Sequence, residues 1–242
     1  MNTRKANIAK TTRIAGVLRT AGLGLLAAGT LFSGVLVTLA AQEQDWGGAR
    51  VVNILDEPRH RTMHRDGELY VLDVQINPGD QTLPHTHDAA IIYTFISNGD
   101  GPIGGRVSSN TDYVAENHTH RVSNEGPELF RIIAFTNYGA GIVNLSSDRP
   151  QGVAAEPQLE NRWFRSYRVE LAPGETTALQ THHNPSIVVQ VTEGLTHVTR
   201  SDGITEELDT MGDWAWRDAD SPFLLRNIGT EPVAVVINEA RR

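Results

Sequence analysis

Two stretches of this chain are versions of one another. INPGDQTLPHTHDAAIIYTFISNG, residues 76–99, aligns without a gap to LAPGETTALQTHHNPSIVVQVTEG, residues 171–194, so Pro78, Gly79 and Gly99 fall on Pro173, Gly174 and Gly194 at an offset of 95. Further on, RVSNEGPELFRIIAFTN aligns with LLRNIGTEPVAVVINEA and pairs Asn124 with Asn227. The offset there is 103, so a loop in the second copy is eight residues longer. An internal repeat of this length means two copies of one structural unit. It predicts a first unit over 45–145, a polar connection over 146–161 (SSDRPQGVAAEPQLEN) and a second unit over 162–242.

The pattern inside each copy is that of strands. GELYVLDVQI, AAIIYTFI, ELFRIIAF, SYRVELA, SIVVQVT, THVTRS and EPVAVVINE are short, rich in Val, Ile, Tyr and Thr, and separated by Gly and Pro. Such residues suit a pleated, half-buried surface. No segment after residue 41 shows a capped helical period, and only GITEELDTMG is ambiguous. Many short strands with turn signals predict an all-β sandwich or jelly-roll barrel.

Several function classes drop out on composition. The chain has no cysteine, which excludes disulfides and thiolate chemistry. Lys5 and Lys10 are its only lysines, so the globular part has no Schiff-base nucleophile. Residues 1–41 hold five basic groups and no acid around the uncharged run TAGLGLLAAGTLFSGVLVTLAAQ. That pattern predicts a secretory signal cut after Ala40 or Ala41, or else an uncleaved anchor, and in both cases a globular part that is periplasmic or secreted. Subtracting those five from 21 basic residues leaves 16 against 29 acids, a formal net charge of −13. So acidic a body lacks the basic footprint that nucleic acid requires, and membrane contact would come only through an uncleaved N-terminus.

Within the first copy, Gly79, five residues, His85-Thr86-His87, four residues, Ile92, six residues and Gly99 follow the spacing G-x5-H-x-H-x3-4-E-x6-G, with Ile92 where the glutamate would stand. His120-Arg121-Val122-Ser123-Asn124 carries the ending of a second pattern, G-x5-P-x-G-x2-H-x3-N, whose proline and second glycine are replaced by Ala115 and Asn117. These two motifs and the repeat resemble the cupin family, specifically a two-domain bicupin over nearly all of residues 50–242. The resemblance implies tandem double-stranded β-helix (jelly-roll) barrels. In the second copy Gln180 replaces the first motif histidine, His182 keeps the next, and Ile187 and Phe223 replace the remaining two ligands, which implies that this copy binds no metal there.

Alternation along a strand puts His85 and His87 on one side, and His120 from a neighbouring strand would complete a facial set with open positions. The bland alternative is a set of ordinary histidines inherited from a metal-binding ancestor. On the metal reading the cofactor is one divalent transition ion, iron by first expectation, with zinc, copper, nickel and manganese open. Three neutral imidazoles leave the ion its full charge, making it a stronger Lewis acid than a glutamate-bearing site would. Some cupin dioxygenases also use three histidines on iron.

Other expectations are narrower. Ile92 is expected beside the metal, keeping the pocket dry, with the Tyr93 ring turned outward. Glu116 shares parity with His118 and His120 and could supply the absent carboxylate, although a solvated loop is the simpler reading. His118 is a candidate proton shuttle or supporting partner, or a plain loop histidine. His182 and His183 are expected at the mouth of the second barrel, beside Gln180. Trp163, Trp214 and Trp216 are expected in core or interface positions, while His60, His64 and His197 carry no motif. The sequence names no catalytic acid or base. The function expected is a metal-dependent cupin enzyme on a small organic molecule, with dioxygenase-type oxidative cleavage leading. The alternative is a non-enzymatic periplasmic cupin that captures a small ligand. The Ile- and Val-rich strands IIYTFI and IVVQV could also pair copies into a homodimer.

Overall fold

Alternation along the central strands of its two larger sheets gives this protein two different buried faces. The computed structural model describes residues 45–242, and the export segment expected over 1–41 lies outside the described residues. The first unit contains β1 (Val52–Asn53), β2 (His60–Asp66), β3 (Leu69–Ile76), β4 (His85–His87), β5 (Ala90–Asn98), β6 (Pro102–Asn110), β7 (His118–His120) and β8 (Phe130–Asn137). The second contains β9 (Leu159–Glu160), β10 (Phe164–Leu171), β11 (Ser186–Gln190), β12 (Thr196–Arg200), β13 (Thr205–Leu208), β14 (Trp214–Arg217), β15 (Phe223–Asn227) and β16 (Val233–Ala240). The ambiguous 203–212 stretch is thus a strand at its centre.

Each unit is a five-stranded sheet accompanied by a three-stranded one. In the first the orders are β2-β3-β8-β5-β6 and β1-β4-β7; in the second, β14-β11-β16-β10-β9 and β13-β12-β15. Hydrogen bonding does not close either pair into a continuous barrel, and the architecture is that of two tandem jelly-roll units.

The repeat holds down to single hydrogen bonds. The Asn124 amide donates to the carbonyls of Ile76 and Glu128 and accepts from the Gly126 N–H. Asn227 does the same with Leu171, Glu231 and Gly229. Both asparagines are buried, and each ties a turn to the end of a strand, satisfying backbone groups that would otherwise cost about 1–3 kcal/mol apiece.

The two five-stranded sheets bury their outer faces together. Ile92, Ile96, Ile133 and Phe135 of the first unit pack in one cluster with Ile187, Val189, Val191 and Val236 of the second, flanked by Trp163, Trp214 and Trp216. Inside this seam the Asn238 amide donates to the Thr94 hydroxyl at 2.8 Å. A fully buried aliphatic side chain contributes about 1.5–3 kcal/mol, so this seam is a main source of stability. It also uses the outward side chains of IIYTFI and IVVQV within the chain, so a pairing of copies would use another face.

Segment 146–161 is woven into the second unit. Its Asp148 carboxylate takes hydrogen bonds from Arg165 (3.1 Å) and Arg241 (2.8 Å), Gln151 bridges to Thr181, and β9 pairs with β10.

Candidate metal centre

The three-stranded sheet of the first unit places three imidazoles by register alone. His85 and His87 alternate onto the same face of β4, and His120 on β7 lies directly opposite His85. Their Nε2 atoms converge: His120 Nε2 is 3.0 Å from His85 Nε2 and 3.0 Å from His87 Nε2. One potential ligand atom from each lies within 4.8 Å of the others. His85 donates from Nδ1 to the Leu83 carbonyl at 2.9 Å, which leaves its Nε2 lone pair free for a ligand.

Electrostatics keep the trio in the metal-binding form. Burial, then the neighbouring His60, pushes His85 down to about 4. Burial followed by His120 and His85 pushes His87 down to about 2. His120 is pushed down to about 4, by burial and then His85. Three neutral rings aiming lone pairs at one point repel one another unless a cation sits between them, so the donor set fits a divalent transition ion. His85, His87 and His120 would hold it.

Beside the trio lies a cavity of about 270 Å³ within the first unit. Its wall includes Ile91, Tyr93 and Phe95 from β5, Ile132 and Ala134 from β8, and Tyr113 from a 3-10 turn at Asp112–Val114. This overturns the expectation for Ile92. Ile92 faces the seam between the units and is fully buried there, away from the imidazoles. The short link Asp88-Ala89 into β5 sets the parity one residue from that assumed, so Ile91 and Tyr93 point inward. The Tyr93 phenol is held well above its usual pKa, by burial first and by neighbouring Tyr113 second, so it stays protonated.

The remaining candidates separate cleanly. Glu116 is exposed in the loop before β7 and is not part of the cavity wall, as a solvated acid would be. His118 is exposed; its ring stacks on Tyr113 at 5.4 Å and meets His120 at 5.3 Å, so it flanks the trio from the solvent side. His182 does not sit at a barrel mouth. It is buried, bonded from Nδ1 to Glu239 at 2.6 Å and stacked on Phe223 at 5.4 Å. Gln180 is buried beside it, with Oε1 3.3 Å from His182 Nε2, and only His183 reaches solvent, pairing with Asp220 at 2.7 Å. The Gln180↔Phe223 bridge repeats the His85↔His120 pairing with neither imidazole present.

Sequence reasoning missed His60. It opens β2, lines the cavity, and its ring lies 4.4 Å from that of His85. Its Nδ1 bonds to the Glu57 carboxylate at 2.7 Å, and that carboxylate also accepts N–H bonds from Arg59 (2.7 Å) and Leu83 (3.0 Å). Burial pushes the Glu57 carboxyl up, but the hydrogen bonds from His60 and Leu83 outweigh it and the group ends below its ordinary value. The signal in the sequence was only E-P-R-H, a turn with an acid three residues before a histidine.

No family model matches the chain, and no curated protein sequence is similar to it. Among solved structures, AerE from Microcystis aeruginosa is similar with a TM-score of 0.51 at 11% identity, over 74% of this chain and 90% of that one. A cupin 2 conserved barrel domain protein from Leptotrichia buccalis aligns with a TM-score of 0.45 at 14% identity, over 75% of this chain and 88% of that one. Salicylate 1,2-dioxygenase from Pseudoaminobacter salicylatoxidans, in its adducts with gentisate, aligns with a TM-score of 0.49 at 12% identity, over 72% of this chain and 68% of that one. At such identities the likeness is one of fold. The likeness to AerE shows a shared fold alone, and the two-unit arrangement with a three-histidine group in its first unit stands on this chain's own register-matched repeat and converging His85, His87 and His120.

Proposed function

We propose that the protein is a metal-dependent cupin enzyme acting on a small organic molecule, with dioxygenase-type oxidative cleavage as its reaction class. One observation carries the reading: three imidazole Nε2 atoms, on rings kept neutral, converge beside a largely apolar cavity. An ion bound there would supply Lewis acidity and, if redox-active as iron is, the means to use dioxygen. The chain's own residues do the rest. Val74, Ile76, Phe95 and Phe130 exclude water, which strengthens every polar interaction inside the cavity. Tyr93 and Tyr113 add phenol groups to the wall. Residues 1–41, read as an export signal, would place this site in the periplasm or outside the cell.

The test is elemental analysis of protein purified without chelator, followed by anaerobic iron loading and measurement of oxygen uptake with small aromatic and diketone substrates. Near-stoichiometric metal that His85→Ala and His120→Ala abolish, with substrate-dependent oxygen uptake on iron, is the expected result. A chain that stays empty after loading with iron, zinc, copper, nickel and manganese overturns the enzyme reading and leaves ligand capture by a metal-free cup.

A further inference from the structure

The cavity wall is chemically one-sided. Val74, Ile76, Ile91, Phe95, Phe130 and Ile132 make it apolar, and among the described residues no lysine or arginine lines it. Arg106 lies over the Phe95 ring at 5.7 Å but is exposed and outside the lining. A carboxylate entering this space would lose its hydration and find no side-chain cation in the wall, and only an ion on the three histidines could offset that loss. Apart from His87 and His120 of the converging imidazoles, the polar side chains in the wall are His60 and the phenols of Tyr93 and Tyr113.

His60 differs from the two tyrosines in how firmly it is held. Its Nδ1 is committed to Glu57, whose side chain is completely buried and pinned by two backbone N–H groups. That leaves Nε2 as the nitrogen available to the cavity. A hydroxyl both donates and accepts, so it satisfies Nε2 whichever way the ring carries its protons, whereas a carboxylate only accepts. The volume, about 270 Å³, exceeds the roughly 150 Å³ of an engineered apolar cavity that holds benzene, so one ring with small substituents fits.

We propose that His60, anchored by Glu57, binds and orients a hydroxyl group of an uncharged, single-ring-sized substrate in this cavity. The proposal rests on the reading of the site as a substrate pocket, and it names the substrate class: neutral hydroxylated ring compounds rather than aromatic acids. His60 is a binding residue here and not a fourth metal ligand, since its nitrogen does not join the converging group of three.

The experiment titrates phenol, benzene and benzoate by calorimetry into the full chain, metal-free and zinc-loaded, for the parent, His60→Gln and Tyr93→Phe. In the metal-free parent, phenol should bind at least fivefold more tightly than benzene and at least tenfold more tightly than benzoate. His60→Gln should bring phenol down to the benzene level while benzene affinity and zinc stoichiometry stay unchanged, and Tyr93→Phe should retain the phenol preference. Benzoate binding as tightly as phenol overturns the substrate class. Phenol no better than benzene in the parent, a preference that survives His60→Gln, or one lost in Tyr93→Phe alone overturns the role of His60. Loss of zinc in His60→Gln makes that residue a ligand and also overturns it. The parent ranking needs no variant, so a His60→Gln chain that fails to fold leaves the proposal testable. Zinc uptake reads the metal centre separately: phenol discrimination without zinc removes the metal proposal and keeps this one, and zinc without discrimination does the reverse.

Discussion

The two halves of this chain share a backbone plan and use its interior in opposite ways. In the first unit His120, Val122, Leu72 and Ala134 stand where the second has Phe223, Leu225, Tyr167 and Ile237. The larger side chains of the second unit fill its interior, while the smaller ones of the first leave a cavity beside three imidazoles. Charge diverges in parallel. Thr136 of the first unit corresponds to Glu239 of the second, whose buried carboxylate holds His182 at 2.6 Å and Arg165 at 3.1 Å. The strand that carries His60 spans seven residues in the first unit, and its counterpart β9 keeps two. Where the first copy keeps a cup beside its imidazoles, the second is packed with Tyr167, Phe223 and Ile237, and its own pocket of about 400 Å³ lies instead along Gly152–Ala155, Glu175–Ala178 and Gln180. The difference teaches that a ligand site in this fold needs empty volume as much as it needs ligands.

The largest expected effect tests which face of β5 belongs to which half. Ile92→Glu supplies the glutamate of the motif that this spacing resembles, but it drives an unpaired carboxylate into the seam between the units. It should cost more than about 4 kcal/mol in chemical denaturation. Ile91→Glu enters the cavity instead and should change metal affinity with a smaller loss of stability; equal stability losses would show that the faces are misassigned.

Restoring ligands to the filled unit comes next. The double change Gln180→His with Phe223→His gives the second unit the three histidines of the first in sequence. It should bind no second metal equivalent and should lose about 2–4 kcal/mol, because a polar ring replaces a packed one. A second equivalent by elemental analysis would show that the ligands alone were missing. The converse, Ala134→Ile, copies Ile237 into the cup. It should cost about 1–3 kcal/mol through overpacking and weaken phenol binding more than tenfold, with metal stoichiometry intact.

The smallest effect is in pH. The folded-state values of about 4, about 2 and about 4 for His85, His87 and His120 lie below the ordinary value of 6.5. Their free-base form therefore persists to low pH, and metal retention should stay level from pH 8 to about 5 and fall only below about 4. In the metal-free protein the same shift works against folding. The unfolded histidines take up protons first, so stability present above about pH 6.5 is lost progressively as the pH falls towards 4. Thermal melts across that range, compared with the His87→Ala variant, check the sign.

Much of the fold was legible because it is written in local pattern. Gly79 and Gly174 sit in equivalent turns at φ values of +74° and +77°, a backbone region that favours glycine, so the repeat announces itself through residues the backbone requires. The facial set of His85, His87 and His120 follows from a period of two and one strand pairing. Ile92 and Tyr93 were misread for a related reason: a period of two fixes which residues share a face but not which face is inside, and one residue of phase in the link after His87 exchanges them. IIYTFI gives no help, since it is apolar on both faces, as a strand buried on both sides must be. His60 was invisible because its partners are Glu57 in a turn and His85 on another sheet.

By itself the sequence determined that the chain is an all-β repeat with three ligand-capable histidines in its first copy and one relic in the second, because spacing, turn glycines and side-chain alternation are properties of neighbouring residues. The tertiary structure decided where the empty volume lies, which face of β5 lines it, and that Glu57 and His60 join the site. Those depend on how side chains from separate strands share space, and volume left unfilled is a property of the packing rather than of any stretch of residues.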